Sequence, residues 1–259
     1  MPAHSSSSAT AVIVIPARLA STRLPRKMLL ADTGRPLIAH TCEAAGRATA
    51  TTKVVVVTDS DEIADAVTSF GGQAIMTSPE ATSGTARIVE ALDQLPAADI
   101  IVNLQGDEPE LAGEAIDLAV TALQACPEAG VSTLVTPIRD AEGLAEPSRV
   151  KAVLTPWNES LWRAIYFSRA PVPAARSFTA DLLTAEPPYY WQHVGIYAYR
   201  RDVLERWDSL PPSRLAELES LEQLRLIEAN IPIAAAAVAS SAPGIDTPED
   251  YAAFVARQR

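Results

Sequence analysis

Short runs of unbroken hydrophobicity, each about a strand long, alternate along this chain with stretches whose apolar residues recur every three or four positions. The runs are Ala11 to Ile15, Lys53 to Thr58, Gln73 to Met76, Ile100 to Leu104 and Val131 to Pro137. Apolar character that is continuous rather than alternating belongs to strands covered on both faces, hence to a largely parallel sheet between helices. The intervening stretches carry helix ends. Pro36 suits a first helical position, with Leu37, Ile38, Thr41, Cys42 and Ala45 on the buried side; a second helix starts near Ser60 and stops at Gly71-Gly72; a third covers about Thr85 to Leu95.

From Val150 the texture changes. Val150 to Leu154, Trp162 to Tyr166 and His193 to Tyr199 read as strands, while Pro171, Pro173, Pro187 and Pro188 punctuate an irregular connection. Helix returns over about Leu215 to Ala229, where Leu215, Leu218, Leu221, Leu224 and Ile227 form an apolar stripe, and a strand follows over Ile231 to Val238. Thr247-Pro248-Glu249-Asp250 offers a cap, a first-position proline and first-turn acids, so a last helix runs to about Arg257. The expected architecture is a three-layer α/β fold with an open, mostly parallel sheet and a smaller α+β insertion. Its divisions are an N-terminal arm over 1–10, an α/β core over 11–149, the insertion over 150–212, and a return to the core over 213–259.

The length of 259 residues allows one large domain with a subdomain. A formal charge of −11 and a pI near 4.8 argue against a general nucleic-acid or anionic-membrane surface, because phosphate backbones select basic faces. Cys42 and Cys126 stand far apart with no CxxC spacing, which supports neither a disulfide framework nor a zinc ribbon and suits a reducing cytoplasm. The opening MPAHSSSSAT has no basic cluster ahead of its strand-length apolar run. It is expected to be a disordered arm, neither signal peptide nor membrane span.

Against this acidity, PARLASTRLPRK stands out: Arg18, Arg23, Arg26 and Lys27 occur there without an acid, directly after the first strand. In open α/β sheets ligands bind beyond the carboxyl ends of strands. No glycine occurs from Pro16 to Thr33, so neither a Walker loop nor a dinucleotide fingerprint applies and side chains must do the gripping. Arg18 and Arg23 can hold phosphate oxygens in pairs and Lys27 can act as a point charge, a set that suits a triphosphate. The bland alternative is a solvated basic loop.

Carboxylates supply the second strand of chemistry. In IIVNLQGDEPEL, Asp107 and Glu108 stand just past an apolar strand, Gly106 permits a sharp turn, and Asp107 is either a Mg²⁺ ligand or a turn former. In GIDTPEDYAAF, Asp246 is either its partner, converging from a separate loop at one sheet edge, or a turn and capping residue. Asp59-Ser60-Asp61 has the DxD form of glycosyltransferase metal sites, but its place at a helix start is explained by capping and the helix dipole. Ser83-Gly84-Thr85 opens a helix and can donate hydrogen bonds to a base or phosphate, with Arg87 one step further. Within the insertion and after it, His193 and Tyr197 share a strand face, while Glu222 and Gln223 interrupt a leucine-rich helix. With Arg169 and Arg176 they form a candidate set for a polyhydroxylated acid, the arginines taking its carboxylate.

Taken in order, VIVIPARLASTRLPRKML, SGTAR, VNLQGDEPEL, YFSR, HVGIYAYR, LESLEQLR and GIDTPED resemble the CMP-KDO synthetase (3-deoxy-manno-octulosonate cytidylyltransferase) family, from about Val12 to the C-terminus. The resemblance implies a nucleotide-diphospho-sugar transferase type of Rossmann-like fold and a Mg²⁺-dependent reaction in which CTP and the eight-carbon keto acid KDO give CMP-KDO and diphosphate. It assigns Arg18, Arg23 and Lys27 to the triphosphate, Pro16, Ala17, Ser83 and Gln105 to the nucleotide, and Asp107 and Asp246 to Mg²⁺. Gln105, Arg169, Arg176, His193, Tyr197, Glu222 and Gln223 would line the sugar pocket, and the insertion would bind sugar in a homodimer. Catalysis would rest on Arg23, Lys27, Asp107 and Asp246, with the metal bridging the attacking hydroxyl and the α-phosphate. Two positions depart from the family pattern: Arg26 replaces a customary Gly, and Ala86 replaces an acid beside Arg87. A related enzyme for 8-amino-KDO or sialic acid, a sugar-1-phosphate nucleotidylyltransferase and a non-catalytic nucleotide sensor are the competing readings.

Overall fold

A computed structural model describes residues 9–258. Nine strands are present: β1 (Ala11–Ala17), β2 (Val54–Thr58), β3 (Gln73–Met76), β4 (Ile100–Leu104), β5 (Val131–Pro137), β6 (Lys151–Pro156), β7 (Trp162–Ser168), β8 (Trp191–Arg200) and β9 (Ile233–Ala237). They form one sheet in the order β3-β2-β1-β4-β8-β5-β9-β7-β6. The continuous apolar runs are parallel neighbours, β1 with β2 and β4, and β2 with β3. β1, β2 and β4 are buried on both faces, whereas the edge strand β3 buries only Ile75. Ile13, Ile15, Val102 and Leu104 pack on one side with the helices Leu37–Ala45, Asp61–Ser69, Gly113–Ala125 and Pro248–Arg257. Val12, Val14, Val55 and Val57 pack on the other with Gly84–Ala91, Arg201–Glu205 and Gln223–Glu228, completing three layers.

The sheet departs from expectation in direction and closure. β8 runs antiparallel to both β4 and β5, and β7 antiparallel to both β6 and β9, so the sheet is mixed rather than mostly parallel. Nor is it wholly open, because β6 pairs back onto the start of β8 and strands β8, β5, β9, β7 and β6 close into a ring. Bulges at Thr133/Leu134 and Val153/Leu154 supply the bending this requires.

Several element ends also differ. β1 continues through Pro16 to Ala17; it pairs with β4 only as far as Val14, so the missing N–H of Pro16 falls where that edge is already free. Pro36 stands at the cap rather than inside the first helix. Helix Gly113–Ala125 has no counterpart among the expected elements, although Ile116, Ala119, Val120 and Leu123 give it a buried stripe. The single helix expected over 215–229 is two, Arg214–Glu219 and Gln223–Glu228, separated by Ser220 in the left-handed region at φ 52°. The last helix has the anticipated start: Thr247 and Asp250 cap each other's backbone in a capping box.

Of the proposed arm, residues 1–8 lie outside the described residues. Thr10 is pinned, its N–H and hydroxyl donating to the Asp99 carboxylate while its carbonyl accepts from the N–H groups of Asp99 and Ile100. Cys42 and Cys126 are free thiols. No described helix is long and apolar enough to cross a membrane.

Candidate active site

The basic loop leaves β1 with two apolar anchors, Leu24 and Met28, sunk into the core beneath the sheet edge. Anchoring these two fixes what lies between and beside them. Arg23 stays exposed, and Lys27, at the start of a single 3-10 turn, is 7% exposed. The Lys27 ammonium donates to Asp107 Oδ2 at 2.6 Å, to the Ile245 carbonyl at 2.7 Å and to Asp246 Oδ1 at 3.1 Å. Arg23 Nη2 approaches the same Asp246 oxygen at 3.0 Å.

The two aspartates, far apart in sequence, therefore converge from separate loops, the juxtaposition that the metal-partner reading requires. Backbone pairing holds them: the Ile245 N–H donates to the Asp107 carbonyl at 2.9 Å. The carboxylate of Asp250, already part of the capping box, also accepts from the Asp246 N–H. Gly106 matters here for close approach: a Cβ would lie 2.8 Å from Met28 Sδ and 3.3 Å from the Pro16 carbonyl, and its φ is not positive. Beside the pair, Glu108 has its carboxyl pushed up to about 8, by burial first and then by Asp107 and Asp246, with Lys27 opposing.

These groups form one wall of a cleft of about 650 Å³ that also takes in Pro16, Ala17, Arg18, Ser83, Gly84 and Gln105. Arg18 is exposed on that wall and makes no salt bridge among the described residues. Ser83 caps the helix Gly84–Ala91 by accepting from the Ala86 N–H, so the helix N-terminus faces the cleft. Arg87, only 4% exposed, is ordered without an acid at position 86: its guanidinium donates to Asp59 at 2.9 Å and to Thr77 at 2.6 Å. Asp59-Ser60-Asp61 is thereby accounted for without a metal, with Asp59 on Arg87 and Ser60 capping the helix Asp61–Ser69. Arg26 points away from the cleft, in the left-handed region at φ 56°, and its guanidinium meets both oxygens of Glu62.

The residues expected to line a sugar pocket are spread more widely. Tyr197 packs against His193 with the rings tilted by 39°, and the His193 ring nitrogen pairs with the Thr133 hydroxyl at 3.0 Å. Burial pushes the imidazole down to about 4, so it is neutral near pH 7. Burial, then neighbouring Tyr199 and Glu222, raise the Tyr197 phenol. Glu222 accepts from the Thr85 hydroxyl at 2.9 Å, and Gln223 follows it, 5% exposed. Arg169 is tied to the helix break, donating to the carbonyls of Glu219, Ser220 and Pro147. Arg176 lies in the exposed connection 171–180, where no salt bridge holds it among the described residues. Asn103 went unnoticed in the sequence, although one amide inside the apolar strand β4 was signal enough.

A family profile described as Cytidylyltransferase matches residues 12–233. A Rhodopirellula baltica protein named 3-deoxy-manno-octulosonate cytidylyltransferase is 49% identical over 247 residues, covering 95% of this chain and 97% of that protein. The chain belongs to the 3-deoxy-manno-octulosonate cytidylyltransferase family. An Escherichia coli cytidylyltransferase of the same name is 45% identical over 238 residues, 92% of each chain. The solved structure of a CMP:2-keto-3-deoxy-manno-octonic acid synthetase complexed with CTP superposes with a TM-score of 0.87 at 44% identity, covering 96% of this chain and 98% of that one. A UDP-glucose pyrophosphorylase complexed with UDP-glucose, at 15% identity and a TM-score of 0.62 over 96% and 98% of the two chains, shares the fold alone. This cytidylyltransferase is accordingly a mixed α/β nucleotidyltransferase.

Proposed function

We propose that the chain transfers the cytidylyl group of CTP to KDO, giving CMP-KDO and diphosphate. The observation that carries this reading is the clasp of Lys27 between Asp107 and Asp246, at the mouth of a glycine-free cationic loop. The sugar's anomeric hydroxyl attacks the α-phosphorus in line, and diphosphate leaves. Arg18, Arg23 and Lys27 bind the triphosphate, and Arg23 and Lys27 neutralise the charge that develops on the leaving group. Pro16, Ala17, Ser83 and Gln105 hold the nucleotide; Gln105, Arg169, Arg176, His193, Tyr197, Glu222 and Gln223 take the sugar acid. His193, held by the Thr133 hydroxyl and packed against Tyr197, positions the sugar acid, and the step is assigned no histidine base.

Asp107 and Asp246 present hard oxygen donors at the cleft, with side chains 28% and 44% exposed. Mg²⁺ binds through one or two carboxylates and completes its shell with water and substrate phosphates, so this donor set fits it. When bound it neutralises charge at the transferred phosphoryl group and lowers the pKa of the attacking hydroxyl.

Exposed Ile165, Phe178 and Tyr189, all in the insertion, support a homodimer formed through it. Free cysteines without a CxxC pair support a cytoplasmic location. Diphosphate release tests the function: CTP is run against the other nucleoside triphosphates, and KDO against its 8-amino analogue and sialic acid. Preference for CTP with KDO supports the reading, and faster release with another sugar acid reassigns the acceptor.

A further inference from the structure

A file of hydrogen bonds runs from Gln105 to Glu222 beneath the cleft, and nothing in the chemistry above uses its two buried middle members. Asn103 and Thr85, each 2% exposed, form its middle. Every other residue of β4 is apolar and buried, so a strand at this position would pack as well with valine. A buried amide is costly unless both its ends are bonded. Both ends of Asn103 are bonded here, Oδ1 accepting from Gln105 Nε2 at 2.9 Å and Nδ2 directed at Thr85 Oγ1 at 3.5 Å. The Thr85 hydroxyl in turn donates to Glu222 Oε2 at 2.9 Å.

The file has one polarity. The Thr85 hydroxyl has a single proton, which goes to Glu222, so it presents a lone pair to Asn103. That turns the Asn103 oxygen toward Gln105, whose amide N–H groups face inward as a result. Gln105 Oε1 is left beside Gly84, where a Cβ on Gly84 would lie 3.6 Å away, and both residues line the cleft. One carboxylate thus sets the orientation of an amide at the other end of the file.

We propose that Thr85 and Asn103 are positioning residues of the acceptor site: they fix Glu222 and Gln105 so that a carboxylate oxygen and an amide oxygen face the hydroxyls of the sugar acid. The inference rests on the CTP and KDO reading of the cleft. It is independent of the metal, and it assigns roles to two residues that touch no substrate themselves.

Steady-state kinetics with CTP and KDO test it. Losing a buried hydrogen bond costs on the order of tenfold, so Thr85→Val should raise KM for KDO about tenfold, while KM for CTP, to which Gln105 contributes only one of several contacts, should rise less, by no more than about threefold. Thr85→Ser, which keeps the hydroxyl, should restore the KDO constant. Because Thr85 acts through Glu222, adding Thr85→Val to Glu222→Ala should change kcat/KM for KDO by less than about twofold. An unchanged KDO constant in Thr85→Val, an equal rise for both substrates, or effects that multiply in the double variant would overturn the proposal. If the valine variant fails to fold, Thr85→Ala against Thr85→Ser puts the same question. Wild-type protein that releases no diphosphate from CTP and KDO would instead remove the functional reading, and this inference with it.

Discussion

Lys27 Nζ lies 2.6 Å from Asp107 Oδ2, and the same ammonium holds Asp246 and the carbonyl of Ile245. One cation therefore ties the basic loop after β1 to the two acidic loops. In the proposed reading it also sits where the negative charge of a bound triphosphate would gather, and it would compete with a divalent ion for the same oxygens.

Lys27→Met should separate these two effects. Without the ammonium, turnover is expected to fall by about 10² or more, because a charged group aimed at the leaving phosphates is gone. The two carboxylates, left with only Arg23 beside Asp246, should bind Mg²⁺ more tightly in the absence of nucleotide. Calorimetric titration with Mg²⁺ checks the second effect and diphosphate release the first; weaker metal binding would contradict the competition.

Arg87 and Asp59 form a pair of a different kind, structural and largely buried, with side chains 4% and 18% exposed. Asp59→Asn keeps the shape but leaves Arg87 without a counter-charge. The expected loss is about 2–4 kcal/mol of unfolding free energy, read from urea unfolding. An equally stable variant would show that the Thr77 hydroxyl and the Ser78 carbonyl, which also accept from the guanidinium, suffice to hold it.

Arg26→Gly removes a cation from the loop that first suggested a phosphate grip. Its guanidinium is on Glu62, and its backbone adopts the left-handed conformation that glycine takes without steric cost. KM for CTP should be unchanged and the melting temperature no lower than wild type. A raised KM would return Arg26 to the triphosphate.

The sign of pH dependence follows from His193. Its folded value of about 4 lies below the ordinary 6.5, with burial as the cause. Between these values the unfolded chain binds a proton that the folded one does not, so this group's contribution to stability is complete above pH 6.5 and is lost as pH falls toward 4. Tyr197 beside it stays neutral across that window. Urea midpoints of wild type and His193→Gln should therefore differ most at pH 7 and converge toward pH 4; a constant difference would show that the imidazole titrates normally.

Much of this was readable from residue order. Buried strands such as β1 and β2 announce themselves by unbroken apolar runs, and the capping box at Thr247 by its spacing. The convergence of Asp107 and Asp246 was legible only as a possibility, because the backbone bond between Ile245 and Asp107 that creates it leaves no mark in side-chain pattern. Strand direction is likewise silent: β8 reads as apolar whichever way it runs, so its antiparallel place between β4 and β5 was not foreseen. The leucine stripe over 215–227 does not survive the break at Ser220: Leu221 and Leu224 are buried, but Leu218 is 82% exposed and the helix Arg214–Glu219 buries none of its residues. Arg169 was marked for a carboxylate, yet its guanidinium is held by three backbone carbonyls, partners that no sequence motif announces.

The most direct measurement is turnover of Asp107→Asn at saturating Mg²⁺, CTP and KDO, with far-ultraviolet circular dichroism to verify the fold. The substitution preserves size and removes one charge from the meeting point of Lys27 and the two acidic loops. Diphosphate release lower by about 10² or more in a folded protein is the predicted result. Near-normal turnover would contradict the assignment of Asp107 to the reacting centre.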